Sequence, residues 1–298
     1  MAGLWLARRF EMALDNEELR RLLLDLVIRT SVDLPVDVED ALVRGRDKAE
    51  LGSGERVAFE TMLANVALAR ERRLPICQDT GTLMFFVEAA EGFRRKPFQS
   101  AAEWAVSEAT RLGVLRQNCV ETLSGRNTGN NLGNGSPVVH WHELENARGT
   151  RVTLMLKGGG SENMGIQFSL PDSSLDAGRN LEGVRRCVLS AVLRAQGQGC
   201  APGILGVAIG GDRATGYEES KRQLLRKIGE RSPEPALAEL EVRLLEEANS
   251  LGIGGMGFGG KTTLLDVFVG TRCRLPASYF VSISYMCWCC RRQSIVIE

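Results

Sequence analysis

Three cysteines lie far apart in the sequence, and the residues around each are unusual for a buried thiol. Cys77 is followed by an amide, a carboxylate and a hydroxyl in PICQDTG, Cys200 lies in GCAPGILG, and the third is one of Cys287, Cys289 and Cys290 in YMCWCCRR. Three cysteine thiolates can hold a [4Fe-4S] cluster and leave one iron with an open coordination position. Such an iron acts as a Lewis acid. The three contexts therefore predict a cluster with a reactive iron.

The same cysteines allow plainer interpretations. Cys77 could be a buried free thiol in a polar turn, since free cysteine is among the most buried residue types. Cys287, Cys289 and Cys290 could form half of a zinc site, although no second CxxC pair completes a tetrahedral set. The chain has eight cysteines in 298 residues and no recognisable export signal. Metal ligation or burial is therefore favoured over a disulfide framework.

The two histidines of the chain, His140 and His142, alternate within a predicted strand and would face the same side of it. A two-ligand metal arm is one interpretation of this spacing, and ordinary surface residues are the favoured one. A catalytic device built on several imidazoles is excluded by the count alone. Catalysis must then depend on carboxylates, cysteines or a cofactor.

Two glycine-rich segments could bind an anion through their backbone amides. KGGGSEN at 157–163 follows a predicted strand and forms either an amide nest for a carboxylate or a tight hairpin. GMGFGGKT at 255–262 matches the phosphate-loop pattern GxxxxGK[ST]. A true phosphate loop follows a strand and opens a helix, whereas here an amphipathic helix precedes the segment and a strand follows it. A nucleotide-binding protein therefore remains only as the remote alternative.

Composition limits the classes of partner. Lys plus Arg equals Asp plus Glu at 37 each, so no bulk positive charge attracts nucleic acid or an anionic membrane. No apolar run is long enough to span a bilayer. The N-terminal segment becomes acidic before a signal-peptide core could form, and Arg8 and Arg9 alone do not make a transit peptide. We expect a cytoplasmic protein without a membrane or nucleic-acid partner.

The elements that must position these residues are mixed in type. The first seventy residues are predicted to be helical after periodic apolar residues such as Phe59 and Val66, and Ser100 with Glu103 predicts the start of a further helix. Residues 180–196 predict another helix, and Ser232 with Pro233 begins one that ends at Gly252. The predicted strands cover 83–89, 137–144 and 151–157, with two more near the C-terminus, TTLLDVFVG and SYFVSISYMCW.

We therefore expect an α+β fold in which a helix-rich N-terminal part packs on a mixed sheet. With 44% apolar residues, the chain is able to bury a substantial core. The sequence contains no internal repeat, low-complexity tract or obvious linker, so residues 1–298 are predicted to be one domain. The loops that carry the three cysteines should converge from three separate segments.

Together these segments resemble one family, the class I iron-sulfur fumarate hydratases and the related L(+)-tartrate dehydratases, in their N-terminal region or separate alpha subunit. The similar segments follow the family's order and cover nearly the whole chain, which is more specific than any single motif. They are PICQDTG (75–81), LRQN (115–118), GRNTGNN (125–131), KGGGSEN (157–163), CAPGILGVAIGGDRATGYEESK (200–221), GIGGMGFGGKTT (252–263) and LPASYFVSISYMCWCCRR (275–292).

The resemblance implies the cofactor and its ligands. Cys77, Cys200 and Cys287 match the cysteines that hold the [4Fe-4S] cluster, the third because the family's cysteine lies in a Tyr-x-Cys context before an arginine pair. Cys289 and Cys290 are then bystanders. The implied reaction is the reversible hydration of fumarate to malate, with the open iron as Lewis acid.

The resemblance also implies how a small dicarboxylate is bound. Gln78, Arg116 and the backbone near Gly159 and Gly160 match substrate-binding positions, and Asp79 is similar to a residue proposed for proton transfer. An arginine can clamp a carboxylate bidentately. The motifs GGKTTLLDV and GGGSEN are more similar to fumarate hydratases than to tartrate dehydratases, so fumarate and malate are favoured. Tartrate or another dicarboxylate is the alternative.

Two features depart from the family pattern. Fused members continue into a second domain that supplies a threonine base, whereas this sequence continues for only six residues after Arg292. The resemblance thus implies a separate beta subunit, in a heterotetramer, or a homodimer of the alpha chain. In addition, Leu275 lies where related sequences can carry a histidine implicated in catalysis, so acid assistance would come from Asp79 or the partner.

Overall fold

The computed structural model describes residues 16–298. The prediction made for Arg8 and Arg9 lies outside them. The helices are α1 Asn16–Val32, α2 Val36–Lys48, α3 Gly54–Arg72, α4 Arg95–Arg111, α5 Gly159–Glu162, α6 Leu181–Ala195, α7 Arg213–Gln223 and α8 Pro235–Ser250. The strands are β1 Thr82–Ala89, β2 Val138–Glu143, β3 Thr150–Lys157, β4 Ile166–Ser169, β5 Gly203–Gly210, β6 Leu264–Arg272, β7 Phe280–Met286 and β8 Arg291–Ile297.

The strands form two mixed sheets of four strands each, where the sequence predicted one. The first sheet has the order β2-β1-β3-β8, in which only β1 and β2 are parallel. The second has the order β4-β7-β5-β6, in which only β5 and β6 are parallel. Strand β7 belongs to the second sheet and β8 to the first. The connection between them, residues 287–290, therefore crosses from one sheet to the other and carries three cysteines.

Three apolar cores hold these layers together. Helices α1 and α4 pack on one face of the first sheet, against residues such as Phe85 and Leu154. Helices α6 and α8 pack on one face of the second sheet, against residues such as Val207 and Val267. The third core contains Phe86 from the first sheet together with side chains from α2, α3 and the second sheet. This shared core makes the two sheets contiguous.

The mixed α and β character and most predicted elements are confirmed. Helices occupy most of residues 16–72, and the strands predicted at 83–89, 137–144 and 151–157 correspond to β1, β2 and β3. The helix predicted at 180–196 is α6, capped by the Asn180 side chain, which accepts a hydrogen bond from the Gly183 amide at 2.8 Å. No helix of residues 16–298 is both long and apolar enough to cross a membrane.

Three local predictions are wrong. The helix assigned to start at Ser100 starts at Arg95, because the buried apolar face begins at Phe98 and Pro97 is tolerated in a first turn. Glu103 accepts a hydrogen bond from Gln99, so no capping box forms there. The helix expected from Ser232 begins at Pro235. Of the two alternatives for residues 157–163, the tight hairpin is wrong, since β3 leads directly into the short helix α5.

Candidate functional site

The segment that carries Cys77 connects α3 to β1 and is fixed at both ends. The Ile76 amide donates to Ser31 O at 3.0 Å, and the Asn65 side chain donates to Ile76 O at 2.9 Å. At its other end Gly81 has φ +77°, and a Cβ there would collide with the backbone of Lys157. Only glycine permits both this conformation and this close approach. The segment is thereby held against the end of β3.

The Asp79 carboxylate joins three segments of the chain. Its Oδ1 accepts hydrogen bonds from the Gly81 amide and from the Asn118 side chain, both at 2.9 Å, and its Oδ2 accepts from the Gly159 amide at 2.6 Å. Its backbone carbonyl accepts from Arg291 at 2.8 Å. The predicted residues Asp79 and Gly159 are thus in direct contact. Gly160 follows as an exposed residue, and a Cβ built on it would meet no atom within 4 Å.

Gln78 and Arg116 line the same open cleft, which has a volume of about 630 Å³ and is also lined by Gln117 and Asn118. Both predicted side chains are exposed. The backbone of Arg116 is paired with Thr80, whose hydroxyl lies 2.9 Å from both the amide and the carbonyl of Arg116. The cleft therefore sits directly beside the segment of Cys77 and Asp79.

Asn131 is a positioning residue that the sequence analysis did not single out. It is 1% exposed, with φ +60°, and its side-chain carbonyl accepts from the Asn118 and Cys119 amides at 2.8 and 3.1 Å. Its side-chain amide donates to Arg116 O at 2.8 Å and to Thr110 Oγ1 at 2.9 Å. One buried amide group thus shapes the loop that presents Arg116. The motifs LRQN and GRNTGNN were visible in the sequence, but their pairing was not.

Cys200 has an uncommon backbone conformation at the start of the turn before β5. Its φ is +56°, a left-handed backbone angle that residues other than glycine rarely adopt. Residues with such strained backbone angles often lie at functional sites. Its carbonyl accepts a hydrogen bond from the Trp288 amide at 3.2 Å, which ties it to the segment of Cys287. Burial raises the pKa of the Cys200 thiol, and the charges of Cys77 and Asp79 raise it further.

Cys77, Cys200 and Cys287 therefore lie in one region, at the edge of the core shared by both sheets. Burial raises the pKa of Cys287 to about 12, and the nearby thiols of Cys200 and Cys77 add to this effect while Arg291 opposes it. Among residues 16–298, no group of three histidine, cysteine or acidic side chains is arranged to hold a single metal ion. The ligands of a cubane cluster are spaced differently, because each thiolate binds a different iron.

Cys289 and Cys290 lie deeper in the same core, at 2% and 0% exposure. Burial raises the pKa of both thiols. Cys77 and Cys200, in contrast, are only partly buried. Cys287 is also buried, at 8% exposure, and lies between these two groups in accessibility.

Tyr285 packs against the turn that carries Cys200. A Cβ on either Gly199 or Gly203 would collide with its ring, so both glycines are needed for this contact. Its hydroxyl is buried and has no hydrogen-bond partner among the described residues. Burial raises the pKa of this phenol, with smaller contributions from Cys287 and Cys200. A free O–H donor thus lies near two of the three thiols.

A buried lysine ends β3. Lys157 is 0% exposed, and its Nζ lies 2.6 Å from Glu162 Oε2, while Glu162 Oε1 accepts from Lys221 at 2.6 Å. Burial lowers the pKa of Lys157. The carboxylate of Glu162 is bound between two ammonium groups, which lower its pKa although its burial acts in the opposite direction. This pairing holds α5, and with it Gly159, against α7.

The loop that matches the phosphate-binding pattern is already occupied by a carboxylate of the chain itself. The Lys261 and Thr262 amides donate to the two oxygens of Glu55, at 3.0 and 2.8 Å, and Glu55 is 2% exposed. A Cβ on Gly260 would collide with this carboxylate. Helix α8 precedes the loop and β6 follows it, the reverse of the order in a phosphate loop. The loop therefore has a structural role.

The histidines and Leu275 lie apart from this arrangement. His140 stacks on Phe86 with ring centroids 4.7 Å apart, and its Nδ1 is 3.4 Å from Glu218, whereas His142 is exposed. His140 is thus partly buried, which differs from the surface position expected for it. Leu275 is 74% exposed in the turn between β6 and β7.

Comparison with known proteins decides the family. The sequence profile of fumarate hydratase (fumerase) matches residues 20–296. The chain belongs to the fumarate hydratase family. A relative from Geobacillus stearothermophilus, provisionally named a class I fumarate hydratase, is 43% identical over 285 residues, which are 95% of this chain and 55% of the relative. The chain thus spans about half the length of that relative.

Other members of the fumarate hydratase family are similar over most of their own length. The L(+)-tartrate dehydratase subunit alpha of Escherichia coli O157:H7 is 35% identical over 269 residues, which are 90% of this chain and 87% of the relative. The same protein of Escherichia coli strain K12 has the same identity and coverage. The resemblance found in the sequence motifs is therefore confirmed at the level of the family, whose members named here are hydro-lyases.

Proposed function

We propose that the chain binds a [4Fe-4S] cluster through Cys77, Cys200 and Cys287 and forms the cluster-bearing part of a hydro-lyase that converts fumarate and malate. The observation that carries this proposal is the grouping of those three thiols beside Asp79, which itself contacts Gly159 and the loop of Arg116. Family membership supports the reaction class.

The residues present fit an iron-sulfur cluster. Three thiols from three segments supply sulfur ligands, which iron-sulfur clusters prefer. The unpartnered hydroxyl of Tyr285 is a hydrogen-bond donor that is available to sulfur, beside the apolar side chains of the third core. Hydrogen bonds to sulfur are among the factors that tune such clusters. When bound, the cluster would supply a Lewis-acid iron that weakens the C–O bond of the hydroxy acid.

The side chains of the cleft account for binding and orientation. Arg116 is exposed beside Gln78 and presents a guanidinium group that pairs with a substrate carboxylate in bidentate geometry. The Gln78 side chain adds an amide donor. The Gly159 amide is used by Asp79, so the neighbouring Gly160 amide is the donor that this glycine segment offers to the second carboxylate. Together these groups fix a short dicarboxylate between the cleft and α5.

Asp79 is proposed to move a proton at the substrate carbon. A carboxylate has about four lone-pair sites, and three of those on Asp79 accept the hydrogen bonds from Gly81, Asn118 and Gly159. One site is left to exchange a proton. The three donors also hold the group in a single orientation, which is the geometric requirement for acid-base work.

Fumarate and malate are the proposed substrates. The chain is more similar to the relative named for fumarate hydration than to the alpha subunits named for tartrate dehydration, at 43% against 35% identity. Tartrate is the second candidate, because it also carries two carboxylates flanking a hydroxylated carbon, and the alpha-subunit relatives are matched over 87% of their length.

We also infer that a second component completes the catalyst. The Escherichia coli relatives are named as alpha subunits, and the Geobacillus relative extends well beyond the region matched by this chain. A separate beta subunit would then supply the base that acts on the face of the substrate opposite the cluster. The open cleft at Gln78 and Arg116 is where such a subunit would close the site.

Anaerobic reconstitution tests the proposal. The chain is purified without oxygen, treated with iron and sulfide, and analysed for iron, sulfide and zinc. We expect about four irons and four sulfides per chain, a brown colour that is lost in air, and no stoichiometric zinc. Fumarate hydration and tartrate dehydration are then measured with the loaded chain alone and after addition of a beta subunit from a related enzyme.

Hydration of fumarate only in the presence of the beta subunit supports both parts of the proposal. Full activity of the loaded chain alone would contradict the need for a partner. Stoichiometric zinc without iron or sulfide would contradict the cluster itself. Faster dehydration of tartrate than of malate would select the second candidate.

A further inference from the structure

One buried cation next to the cysteines has no acidic partner. Arg291, the first residue of β8, is 1% exposed, and its Nη2 donates to Asp79 O at 2.8 Å. Its Nε and Nη1 are buried without a hydrogen-bond partner, and Arg291 takes part in none of the ion pairs found among residues 16–298. A guanidinium group stays charged in proteins, and an uncompensated buried charge is strongly destabilising.

The other buried basic residues of the described chain are compensated. Arg292 is 6% exposed and lies 2.5 Å from Asp37 Oδ2, with a second hydrogen bond to Arg226 O at 2.7 Å. Lys157 is paired with Glu162 at 2.6 Å. The lack of a counter-charge is therefore particular to Arg291. It is not a general property of this core.

The position of Arg291 identifies the kind of group that would compensate it. Its amide donates to Cys289 O at 3.0 Å, and it follows Cys287 by four positions. Its charge lowers the pKa of the Cys287 thiol, against the larger and opposite effect of burial. The sulfur atoms of this segment therefore supply negative charge to Arg291 when the thiols are ionised. A cluster held by three thiolates meets this condition, because it carries a net negative charge.

We propose that Arg291 is the positioning counter-charge of the cluster. The N–H groups of its two unpartnered nitrogens, Nε and Nη1, and its charge stabilise the anionic thiolate-bound group, while its third nitrogen, Nη2, fixes the backbone of Asp79. The same guanidinium group thereby sets the distance between the sulfur ligands and the proposed proton-transfer residue. This inference rests on the proposed function, since it requires that a cluster be bound.

The inference predicts opposite effects of one substitution on two forms of the chain. Without the cluster, Arg291→Met removes an uncompensated buried charge in favour of an apolar side chain of similar length, so the Tm should stay the same or rise. With the cluster, the same substitution removes its counter-charge, so the Tm should fall and the reduction potential should become more negative. The measurements are thermal unfolding of both forms and a potential titration followed by electron paramagnetic resonance.

Arg292→Met is the matched control, because Arg292 is an adjacent buried arginine whose partner is Asp37 in either form. It should lower the Tm of both forms alike. Equal loss of Tm in both forms of Arg291→Met, including failure to fold in both, would overturn the inference and assign Arg291 a structural role.

Arg291→Lys keeps the charge but loses donors, so its reduction potential should stay near that of the unmodified chain while its electron paramagnetic resonance spectrum changes. An unchanged spectrum would also overturn the inference.

Failure of the role proposed for Arg291 and failure of the proposed function give different results in these experiments. If the unmodified chain takes up no iron and sulfide, the proposed function is wrong and no cluster is present for Arg291 to compensate. If the unmodified chain takes up the cluster and Arg291→Met has the same potential and cluster content, only the role of Arg291 is wrong.

Discussion

At the scale of single residues, the proposed ligand Cys287 and the neighbouring Cys289 and Cys290 differ in exposure. Cys289 and Cys290 are 2% and 0% exposed, whereas Cys287 is 8% exposed and the nearby thiols of Cys200 and Cys77 raise its pKa. Cys77 also raises the pKa of Cys289. We expect Cys287→Ser to abolish binding of a full cluster after anaerobic reconstitution. Cys290→Ser should leave the iron and sulfide content unchanged, since that thiol faces the core.

Iron and sulfide analysis of the two serine variants, with circular dichroism to verify folding, measures this difference. Cys289→Ser serves as a second control, since its thiol is 2% exposed. Full iron content in Cys287→Ser, together with loss of iron in either control, would move the third ligand to the other position.

Arg116 gives a prediction about substrate binding. Its backbone is fixed by Thr80 and Asn131, so truncation of its exposed side chain should leave the loop in place. We expect Arg116→Ala to raise the KM of the complete enzyme by about 10-fold to 100-fold, since a charge-assisted hydrogen bond contributes roughly 1.5 to 3 kcal/mol. Steady-state kinetics at unchanged cluster content provide the measurement. Gln117→Ala, at the neighbouring position of the same cleft, is the control, and an equal rise in its KM would contradict a specific role for Arg116.

Much of this site was predictable because chemically unusual residues cluster in short motifs. PICQDTG and KGGGSEN are recognisable from residue types alone, and the structure joins them through the Asp79 to Gly159 hydrogen bond. Asn131 and Arg291 were not predicted, since their roles depend on partners 15 and 212 residues away in sequence. A buried asparagine and a buried arginine have no signature that distinguishes them from exposed ones.

At the scale of elements, the glycine-rich loop after α8 binds a carboxylate of the chain itself, in the way that a phosphate loop binds a phosphate. Glu55, in the first turn of α3, accepts hydrogen bonds from Lys261 and Thr262. Glu55→Gln turns one acceptor oxygen into a donor facing a backbone N–H. We expect a loss of about 1 to 3 kcal/mol in the free energy of unfolding, the cost of a buried unsatisfied donor, measured by urea unfolding.

Glu60→Gln is the control for this change, because Glu60 is 54% exposed and paired only with Arg56 on the same helix. Its effect should stay below about 1 kcal/mol. The phosphate-loop alternative makes a different prediction, namely nucleotide binding that disappears in Lys261→Ala. Such binding would show that Glu55 is displaced by phosphate and would reinstate that alternative.

An ion-pair network between α6 and α8 predicts a pH dependence of stability. Glu182 accepts hydrogen bonds from Arg185 at 2.9 Å, and Arg185 lies 2.5 Å from Glu247 on α8. The Arg185 hydrogen bond lowers the pKa of Glu182 to about 2. A carboxylate with a depressed pKa stabilises the folded chain above its unfolded value, and this contribution is lost as the pH falls toward the folded value. Glu182→Gln should therefore lower the Tm slightly at neutral pH.

Thermal unfolding between neutral pH and about pH 3 tests the sign, and the difference between Glu182→Gln and the unmodified chain should narrow below about pH 4.3. Glu246→Gln, an equal change of charge on α8 at a residue without an ion pair in the described structure, should show no such narrowing. A difference in Tm between Glu182→Gln and the unmodified chain that grows on acidification would contradict a lowered pKa of Glu182. The effect should be small, since the network is largely exposed.

Local patterns predicted the elements better than their arrangement. The alternation of apolar residues that predicts β3 was visible in the sequence, because Val152, Leu154 and Leu156 all face the core beneath α1 and α4. The division into two sheets was not visible, because β7 and β8 are separated by only four residues and either could have extended the other's sheet. The start of α4 was misplaced because a polar Ser-Glu pair fits a cap as well as it fits an exposed helical face.

At the scale of the whole molecule, the crossing from β7 to β8 makes the candidate site dependent on both sheets. Cys287 follows β7 of the second sheet and Arg291 begins β8 of the first, while Cys77 precedes β1 and Cys200 precedes β5. The third core, to which Phe86 and Phe268 contribute from different sheets, lies directly beneath these cysteines. The separation of these three cysteines therefore depends on packing between the sheets as well as within each one.

This dependence predicts that the two sheets unfold together. Phe268 in β6 is 0% exposed in the shared core, with the Arg226 guanidinium 4.7 Å above its ring. Phe268→Ala should cost about 3 to 5 kcal/mol, as large-to-small changes of buried phenylalanine do. Because Phe268 belongs to the core to which both sheets contribute, amide hydrogen exchange in β1 and β3 of the first sheet should accelerate by the same factor as in β5 of the second. Leu123→Ala, at a fully exposed position, should change the free energy of unfolding by less than about 0.5 kcal/mol. Unchanged protection of β1 and β3 in Phe268→Ala would mean that the sheets are energetically independent, and the geometry of the cysteines would then have to be fixed by the crossing segment alone.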